Sequence, residues 1–170
     1  MRGNVLHKLL EEVLNSELCD HAAVLAARAT ALLAQLGTTA AGGPDPVEMA
    51  EAVRRGLTHP EIAAIRHKLR PEWPLALSTM RKDGTEEVVV GTADAVAVEE
   101  DGSVSCVVDW KSDVQPNDAT VKKYQGQLGR YLQMTRTECG LLVFLTSGEV
   151  RHVFPQVTAI PLHVKIGNLT

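Results

Sequence analysis

The sequence predicts an α/β fold with a central mixed sheet flanked by helices and preceded by a helical N-terminal segment. Apolar residues recur at helical spacing through most of residues 1–70, and short extended runs separated by Asp-Gly follow them. A further helical pattern then precedes two more extended runs. The predicted order of the core is helix, three strands, helix, strand, strand. We expect residues 1–170 to form one domain, mainly helical over 1–70 and with its core over 71–155.

The helices are predicted from apolar spacing and from residues typical of helix ends. They are Val5–Leu14, a second from Asp20 to about Leu36, a third from Asp45 to near Gly56, and a short fourth over Pro60–Leu69. Asp20 and Asp45 are the predicted N-caps of the second and third helices. The segment Thr38–Pro46 is rich in Gly and Pro and is predicted to be a loop.

The strands are predicted from short apolar runs bounded by turn residues. They are Trp73–Met80, Glu87–Val98, Val104–Asp109, Leu141–Leu145 and Val150–Phe154, with a helix over Thr120–Met134 before the last two. Lys82-Asp83-Gly84 and Glu100-Asp101-Gly102 separate the first three runs. Because Asp-Gly between apolar runs is typical of tight turns, we expect two hairpins.

Composition excludes several classes of protein. Hydrophobic residues make up 45% and charged residues 22% of the 170 residues, as in ordinary globular proteins. No segment approaches the ~20 uninterrupted apolar residues of a membrane span, so we expect a soluble, cytoplasmic protein without a membrane partner. The net charge of −4 means that binding of nucleic acid would need a local basic patch or a metal ion. Cys19, Cys106 and Cys139 are expected to be free, buried thiols.

Two aspartates interrupt apolar strands, where aspartate is uncommon. Asp94 lies within the second predicted strand, and Asp109 ends the third. If the intervening turn forms a hairpin, the two carboxylates come close together, and a divalent cation would keep both ionised. Strand alternation puts Lys111 on the same face as Asp109, where its ammonium would orient water and neutralise charge during phosphodiester hydrolysis. The alternative is a purely structural ion pair between Asp109 and Lys111.

The succession of short motifs resembles the PD-(D/E)XK nuclease superfamily. Within it, the chain resembles the RecB-type nuclease domain at the C-terminus of AddA- and RecB-like helicase-nucleases. The segments that carry the resemblance are Gly3-Asn4-Val5-Leu6-His7, Glu72-Trp73-Pro74-Leu75, Gly91-Thr92-Ala93-Asp94, Val107-Val108-Asp109-Trp110-Lys111-Ser112 and Tyr124-Gln125-Gly126-Gln127-Leu128-Gly129-Arg130-Tyr131. Their order matches that of the family.

The resemblance implies a restriction-endonuclease-like core and a DNA nuclease that depends on Mg²⁺ or Mn²⁺. By this resemblance His7, Asp94 and Asp109 are metal ligands and Lys111 is catalytic, together with the two aspartates. It further implies an exonuclease of DNA repair and recombination. DNA is the expected partner, together with the helicase domains of a longer parent chain or a partner subunit.

Four further residues are assigned supporting or DNA-binding roles. By the same resemblance, Gln127 and Tyr131 support the site. Tyr124, Gln127 and Tyr131 recur at offsets of three and seven residues, so they share one helix face that can reach the metal or a DNA phosphate. Ordinary packing against the sheet is the alternative for Tyr124. Glu72 supports the site by resemblance, and otherwise is a solvated charge. Without the resemblance, His7 would be interpreted as a residue at the edge of the core.

Some family features are missing from the sequence. Three cysteines exclude the four-cysteine iron–sulfur version of these nucleases, and no phosphate-binding loop for ATP is present. Because the first motif begins almost at Met1, we expect either a standalone nuclease or a piece of a longer helicase. Two other functions stay open: a catalytically silent DNA-binding or scaffold module of a helicase complex, and a metal-free protein-interaction domain.

Overall fold

The computed structural model describes residues 1–37, 43–81 and 83–155, with only the backbone of Thr79. The helices are Arg2–Leu14 (α1), Ala22–Gln35 (α2), Pro46–Thr58 (α3), Pro60–Ile65 (α4) and Asp118–Thr135 (α5), with a 3-10 helix at Arg66–Lys68. The strands are Leu69–Met80 (β1), Glu86–Val98 (β2), Val104–Lys111 (β3), Gly140–Phe144 (β4) and Glu149–Val153 (β5). The core therefore has the predicted order of elements.

The strands form one mixed sheet in the order β1-β2-β3-β4-β5. β1, β2 and β3 are successive antiparallel neighbours, β3 and β4 are parallel, and β4 and β5 are antiparallel. A parallel pair needs a long crossover connection, and α5 supplies it between β3 and β4. The predicted α/β class, a restriction-endonuclease-like mixed sheet flanked by helices, is confirmed.

Helices cover the sheet on both faces. Leu6, Leu9 and Leu10 of α1 belong to the same buried cluster as Trp110 of β3. On the other face, Leu128 and Leu132 of α5 belong to a second cluster with Phe144 of β4. Burial of each such large apolar side chain stabilises the fold by roughly 1.5–3 kcal/mol. Because neighbouring residues on a strand face opposite sides, burying Trp110 leaves Asp109 and Lys111 together on the α5 side.

The turn between β2 and β3 is the predicted Asp-Gly turn. Gly102 has a φ of 82°, which favours glycine, and its amide donates to the Glu99 carbonyl at 3.0 Å. Asp101 accepts a hydrogen bond from the Ser103 amide at 2.9 Å. This hairpin brings the strand positions of Asp94 and Asp109 side by side. In the turn between β1 and β2, Gly84 has a φ of 83°, and Lys82 lies outside the described residues.

Several predicted boundaries are corrected. Asp20 does not cap α2, whose N-cap is His21, because the helix begins one residue later and the Asp20 carboxylate pairs with Arg66 at 2.7 Å. Asp45 does cap α3, accepting from the Val47 amide at 2.9 Å. That helix continues beyond the predicted end near Gly56 to Thr58.

Three other findings complete the comparison. β1 begins at Leu69, four residues before the predicted start at Trp73, and contains Pro71. β1 is an edge strand, so a proline, which has no amide to donate, is tolerated on the side that has no neighbouring strand. All three cysteines are free, but Cys19 is exposed, contrary to the expectation of buried thiols. The predicted loop residues Thr38–Gly42 lie outside the described residues. Within the described ranges, no helix is both long and apolar enough to cross a membrane.

Candidate functional site

Three neighbouring strands each carry a carboxylate close to the same end of the β2–β3 ladder. The register of β1 on β2 puts Glu72 opposite Asp94, one residue beyond the pair Pro71 and Ala95. The β2–β3 ladder ends at the pair Ala95 and Val108, and Asp94 and Asp109 lie one residue beyond this pair on the two strands. Facing residues have Cβ atoms about 4.5–5.5 Å apart. The acids therefore form a row across the three strands, and α1 approaches this row with His7.

The His7 ring lies between two oxygen acceptors. Its Nδ1 is 3.5 Å from Asp94 Oδ1, and its Nε2 is 3.0 Å from the carbonyl oxygen of Trp110. Burial alone would lower the pKa of His7, but the hydrogen bond and charge of Asp94 outweigh it and raise the pKa above 6.5. A neutral imidazole donates from one nitrogen only, so a proton on the second nitrogen satisfies both acceptors. The two contacts thus hold the imidazole ring in place between Asp94 and the end of β3.

Asp94 is held by the backbone of the neighbouring strand. Its Oδ2 accepts a hydrogen bond of 2.8 Å from the Trp110 amide. The carboxylate is therefore oriented toward the end of β3, with its other oxygen facing His7.

Glu72 has an unusual backbone conformation. Its φ of 49° lies in the left-handed region, which residues other than glycine rarely adopt. One oxygen or nitrogen atom each of His7, Glu72 and Asp94 lies within 4.8 Å of the other two. Desolvation and the nearby charge of Asp94 raise the pKa of Glu72. Strained backbone of this kind is often found where a side chain must be directed into a functional site.

Asp109 is the most deeply buried acid of the site. Its side chain is 1% exposed, and Lys111 Nζ lies 2.7 Å from its Oδ2. Neither oxygen has a partner with regular hydrogen-bond geometry among the described residues, so this ion pair is its main compensation. Burial and the charge of Asp94 raise the pKa of Asp109 to about 6, although Lys111 opposes this. Asp109 is outside the 4.8 Å group that contains Glu72.

These donors fit a divalent cation. Carboxylate and carbonyl oxygens suit Mg²⁺ and Mn²⁺, and an imidazole favours the softer Mn²⁺. Asp109 is a buried carboxylate whose negative charge is balanced only in part by Lys111. A bound cation nearby would balance the rest of this charge. The residues whose ligand atoms lie close enough together to hold an ion are His7, Glu72 and Asp94. The inclusion of Asp109 among the ligands stays a prediction from the sequence.

Helix α5 carries the remaining predicted residues. Gln127 Nε2 donates to the Tyr131 hydroxyl at 3.1 Å, so these two side chains form a pair. A Cβ atom at Gly91 would lie 3.0 Å from Tyr131 Cε1, so glycine permits this close packing of the ring on β2. Tyr124 lies nearer to the acids, with its ring centroid 4.5 Å from Lys111 Nζ.

Sequence reasoning missed three contributors. The carbonyl of Trp110 faces His7, Asp113 accepts a hydrogen bond of 2.9 Å from Tyr124, and Arg2 donates to the Ser112 carbonyl. Arg2 also pairs with Glu48 of α3 at 2.8 Å, so it ties α1 to the segment after Lys111. The position of a backbone carbonyl cannot be predicted from residue type. Arg and Asp are common surface residues, so nothing in the sequence distinguishes Arg2 and Asp113.

A cleft of about 390 Å³ opens beside the site. Its lining residues are Gly3, Asn4, His7, Lys8, Glu11 and Glu72. A larger cavity of about 490 Å³ is lined by none of the predicted site residues and includes Arg66 and Arg70. Chemistry therefore identifies the smaller cleft as the candidate site, because it contains a histidine and an acid that could bind metal.

Comparison with known proteins identifies the family. Residues 1–154 match the family model of the PD-(D/E)XK nuclease superfamily. The chain therefore belongs to this superfamily of nucleases, whose members use divalent metals. No curated protein matches the sequence. Among similar solved structures is the crystal structure of SSO0001, 19% identical over 90% of this chain and 76% of that chain, with a TM-score of 0.43. The assignment rests on the family model alone.

Proposed function

We propose that this protein is a metal-dependent deoxyribonuclease of the RecB and AddA type, acting as an exonuclease. The observation that carries the proposal is the buried carboxylate of Asp109, which is 1% exposed and lies near Asp94 of the neighbouring strand. A protein without a cation at this point would bury one acid beside another with a single lysine to compensate. Such an arrangement is costly for stability and is typical of a site that binds a charged ligand.

In this proposal His7, Asp94 and Asp109 hold one Mg²⁺ or Mn²⁺ ion. When bound, the ion would polarise the scissile phosphate and lower the pKa of a water molecule. The backbone amide of Trp110 keeps Asp94 oriented. Glu72 supports the site as a further acid within 4.8 Å of His7 and Asp94. The fixed strand positions of the acids mean that little rearrangement precedes binding.

Lys111 supplies the positive charge next to the reacting phosphate. The Lys111 side chain is 13% exposed, and its ammonium lies 2.7 Å from Asp109. The ammonium is therefore largely shielded from bulk water, in an environment where charges interact more strongly than in solution. It orients the attacking water and stabilises charge that develops on the phosphate oxygens. The water oxygen forms a bond to phosphorus, one P–O ester bond breaks, and the products carry a phosphate and a hydroxyl group.

Helix α5 supports DNA binding in this proposal. Gln127 and Tyr131 hold one another at 3.1 Å, and Tyr124 packs beside Lys111. Lys122 and Lys123 are exposed on the same helix and would contact phosphates. We further propose that residues 1–170 act as one nuclease domain in a cytoplasmic helicase-nuclease system for DNA repair and recombination.

Two alternatives have specific support. The 2.7 Å ion pair between Asp109 and Lys111 would suit a metal-free interaction domain, in which the pair is only structural. A catalytically silent DNA-binding or scaffold module would keep the fold without cleavage. The complete set of Asp94, Asp109 and Lys111 favours the nuclease over both, because a silent module has no need to keep a desolvated acid.

A cleavage assay tests the proposed function. Linear single- and double-stranded DNA, labelled at either end, is incubated with the protein and Mg²⁺, Mn²⁺ or chelator. We expect metal-dependent release of label that Asp109→Asn abolishes. Asp101→Asn is the matched control, because Asp101 is an exposed carboxylate in the β2–β3 turn. Absence of cleavage with either metal, or equal cleavage by Asp109→Asn, would contradict the proposal.

A further inference from the structure

Three contacts lead from Asp109 to the segment after β3. Lys111 Nζ lies 2.7 Å from Asp109 Oδ2 and 4.5 Å from the centre of the Tyr124 ring. The Tyr124 hydroxyl in turn donates a hydrogen bond of 2.9 Å to Asp113 Oδ2. Asp113 is thus connected to Lys111 through the aromatic ring, two residues further along the chain than the lysine it would influence.

Lys111 needs such support because lysine is a point charge on a flexible stem. Ordering a lysine side chain costs up to about 2 kcal/mol of conformational entropy. Its ion pair with Asp109 would weaken when metal binds, because the metal would share that carboxylate. The electron-rich face of an aromatic ring attracts an ammonium group whether or not metal is present. The Tyr124 ring is therefore the constant part of the surroundings of Lys111.

The hydrogen bond to Asp113 sets the orientation of that ring. Tyr124 lies in the second turn of α5, and Asp113 lies in the connection between β3 and α5. Burial and the Asp113 carboxylate raise the pKa of Tyr124, so its hydroxyl keeps the proton and remains the donor. A ring that is anchored at its hydroxyl cannot swing away from the lysine about its χ1 angle without breaking this bond.

Gln127 and Tyr131 of α5 make other contacts. Gln127 bonds Tyr131, and Tyr131 packs against Gly91. Tyr124 is the α5 residue whose ring contacts the Lys111 ammonium. We propose that Asp113 and Tyr124 are positioning residues, with Asp113 anchoring the Tyr124 hydroxyl so that the ring face holds the Lys111 ammonium toward the scissile phosphate. This inference rests on the proposed function of Lys111.

Four variants separate the parts of this arrangement. Tyr124→Leu removes the ring, and Tyr124→Phe keeps it without its anchor. Asp113→Ala removes the acceptor, whereas Asp113→Asn retains an oxygen that accepts the hydrogen bond. Asp101→Asn again serves as the exposed control. We measure kcat and KM for DNA cleavage with Mn²⁺, together with the nuclear magnetic resonance signal of the Lys111 ε-methylene group in metal-free protein.

We expect Tyr124→Leu and Asp113→Ala to lower kcat by roughly 10- to 100-fold, with KM unchanged. Asp113→Asn restores most of the rate. Because Asp113 acts through the hydroxyl, Asp113→Ala combined with Tyr124→Phe loses no more rate than either single variant. The Lys111 signal, displaced by the ring in the wild-type protein, returns to its ordinary position in Tyr124→Leu.

Three results would overturn the inference: an ordinary Lys111 signal in the wild-type protein, unchanged kcat in Asp113→Ala, or losses that multiply in the double variant. A wild-type protein that does not cleave DNA would instead overturn the proposed function. In that case the Lys111 signal in Asp113→Ala and Tyr124→Leu still decides whether these residues position the lysine.

Discussion

Asp94 and Asp109 each lie one residue beyond the last pair of the β2–β3 ladder, Ala95 with Val108, yet the two carboxylates have different partners. Asp94 accepts a hydrogen bond of 2.8 Å from the Trp110 amide, whereas Asp109 is 2.7 Å from the Lys111 ammonium. One acid is therefore fixed by backbone and the other by a side chain that is itself charged. The pKa of Asp109 is raised to about 6 by burial and by Asp94, which is the electrostatic reason to expect a cation here.

Metal binding should stabilise the folded protein. Mn²⁺ at about 100 times its Kd would add ~2.7 kcal/mol to the free energy of unfolding. For a chain of this length that corresponds to a rise in Tm of roughly 5–10 °C. Differential scanning fluorimetry with and without Mn²⁺ measures it. The rise should disappear in Asp109→Asn and persist in Asp101→Asn, and an equal rise in both variants would mean that the ion binds elsewhere.

Lys111→Ala should separate metal binding from catalysis. We expect cleavage to fall about 100- to 1,000-fold, as when other transition-state donors are removed, while the Mn²⁺-dependent rise in Tm remains. Lys68→Ala is a matched control, because Lys68 also pairs with a carboxylate, Glu99, at 2.7 Å. If Lys111→Ala lowers Tm and leaves the cleavage rate intact, the ion pair with Asp109 is only structural.

The substitution Gly91→Ala should disturb the site through Tyr131. The added methyl group would lie 3.0 Å from Tyr131 Cε1, so the ring and its hydrogen bond with Gln127 must shift. We expect a loss in kcat of about tenfold, measured with end-labelled DNA. Gly126→Ala is the control, because no atom lies within 4 Å of the added methyl group and alanine stabilises a helix by up to about 1 kcal/mol. Equal cleavage rates in the two variants would mean that the position of Tyr131 does not affect catalysis.

The pair of Glu12 and Arg28 should make stability depend on pH. Arg28 binds the buried Glu12 carboxylate through Nε at 2.8 Å and a second nitrogen at 2.6 Å. This lowers the pKa of Glu12 below 4.5, although burial opposes it. Because the folded pKa is below the unfolded one, the stabilisation is present above the unfolded pKa and is lost as pH falls through the folded pKa.

We therefore expect Glu12→Gln to lower the free energy of unfolding at about pH 7 by roughly 1.5–3 kcal/mol. The difference from wild type should shrink toward about pH 4. Urea unfolding at both pH values measures it. Glu87→Gln, which breaks the exposed pair with Arg81, should have a much smaller effect. A difference for Glu12→Gln that grows on acidification would contradict the sign.

Sequence patterns predicted those parts of the molecule that depend on local physics. Helical spacing identified α1 and α5, and Asp101-Gly102 identified the turn that aligns Asp94 with Asp109. Patterns could not predict features set by distant partners. Asp20 has the right residue type for an N-cap, yet its carboxylate pairs with Arg66, which is 46 residues away.

The same limit applies to exposure and backbone conformation. A short apolar run predicted a strand through Val88 and Val90, but these residues are 58% and 74% exposed because that half of β2 pairs only with β1. Nothing in the residue type of Glu72 indicates its left-handed φ. The roles of His7, Gln127 and Tyr131 came from family resemblance, and they stay predictions until variants are measured.

Anomalous diffraction from crystals grown with Mn²⁺ tests the central claim most directly. Our account predicts one strong manganese peak bounded by His7, Asp94 and Asp109, and its loss in crystals of Asp109→Asn. A peak held by other residues, or ordered crystals with none in the presence of excess Mn²⁺, would contradict it.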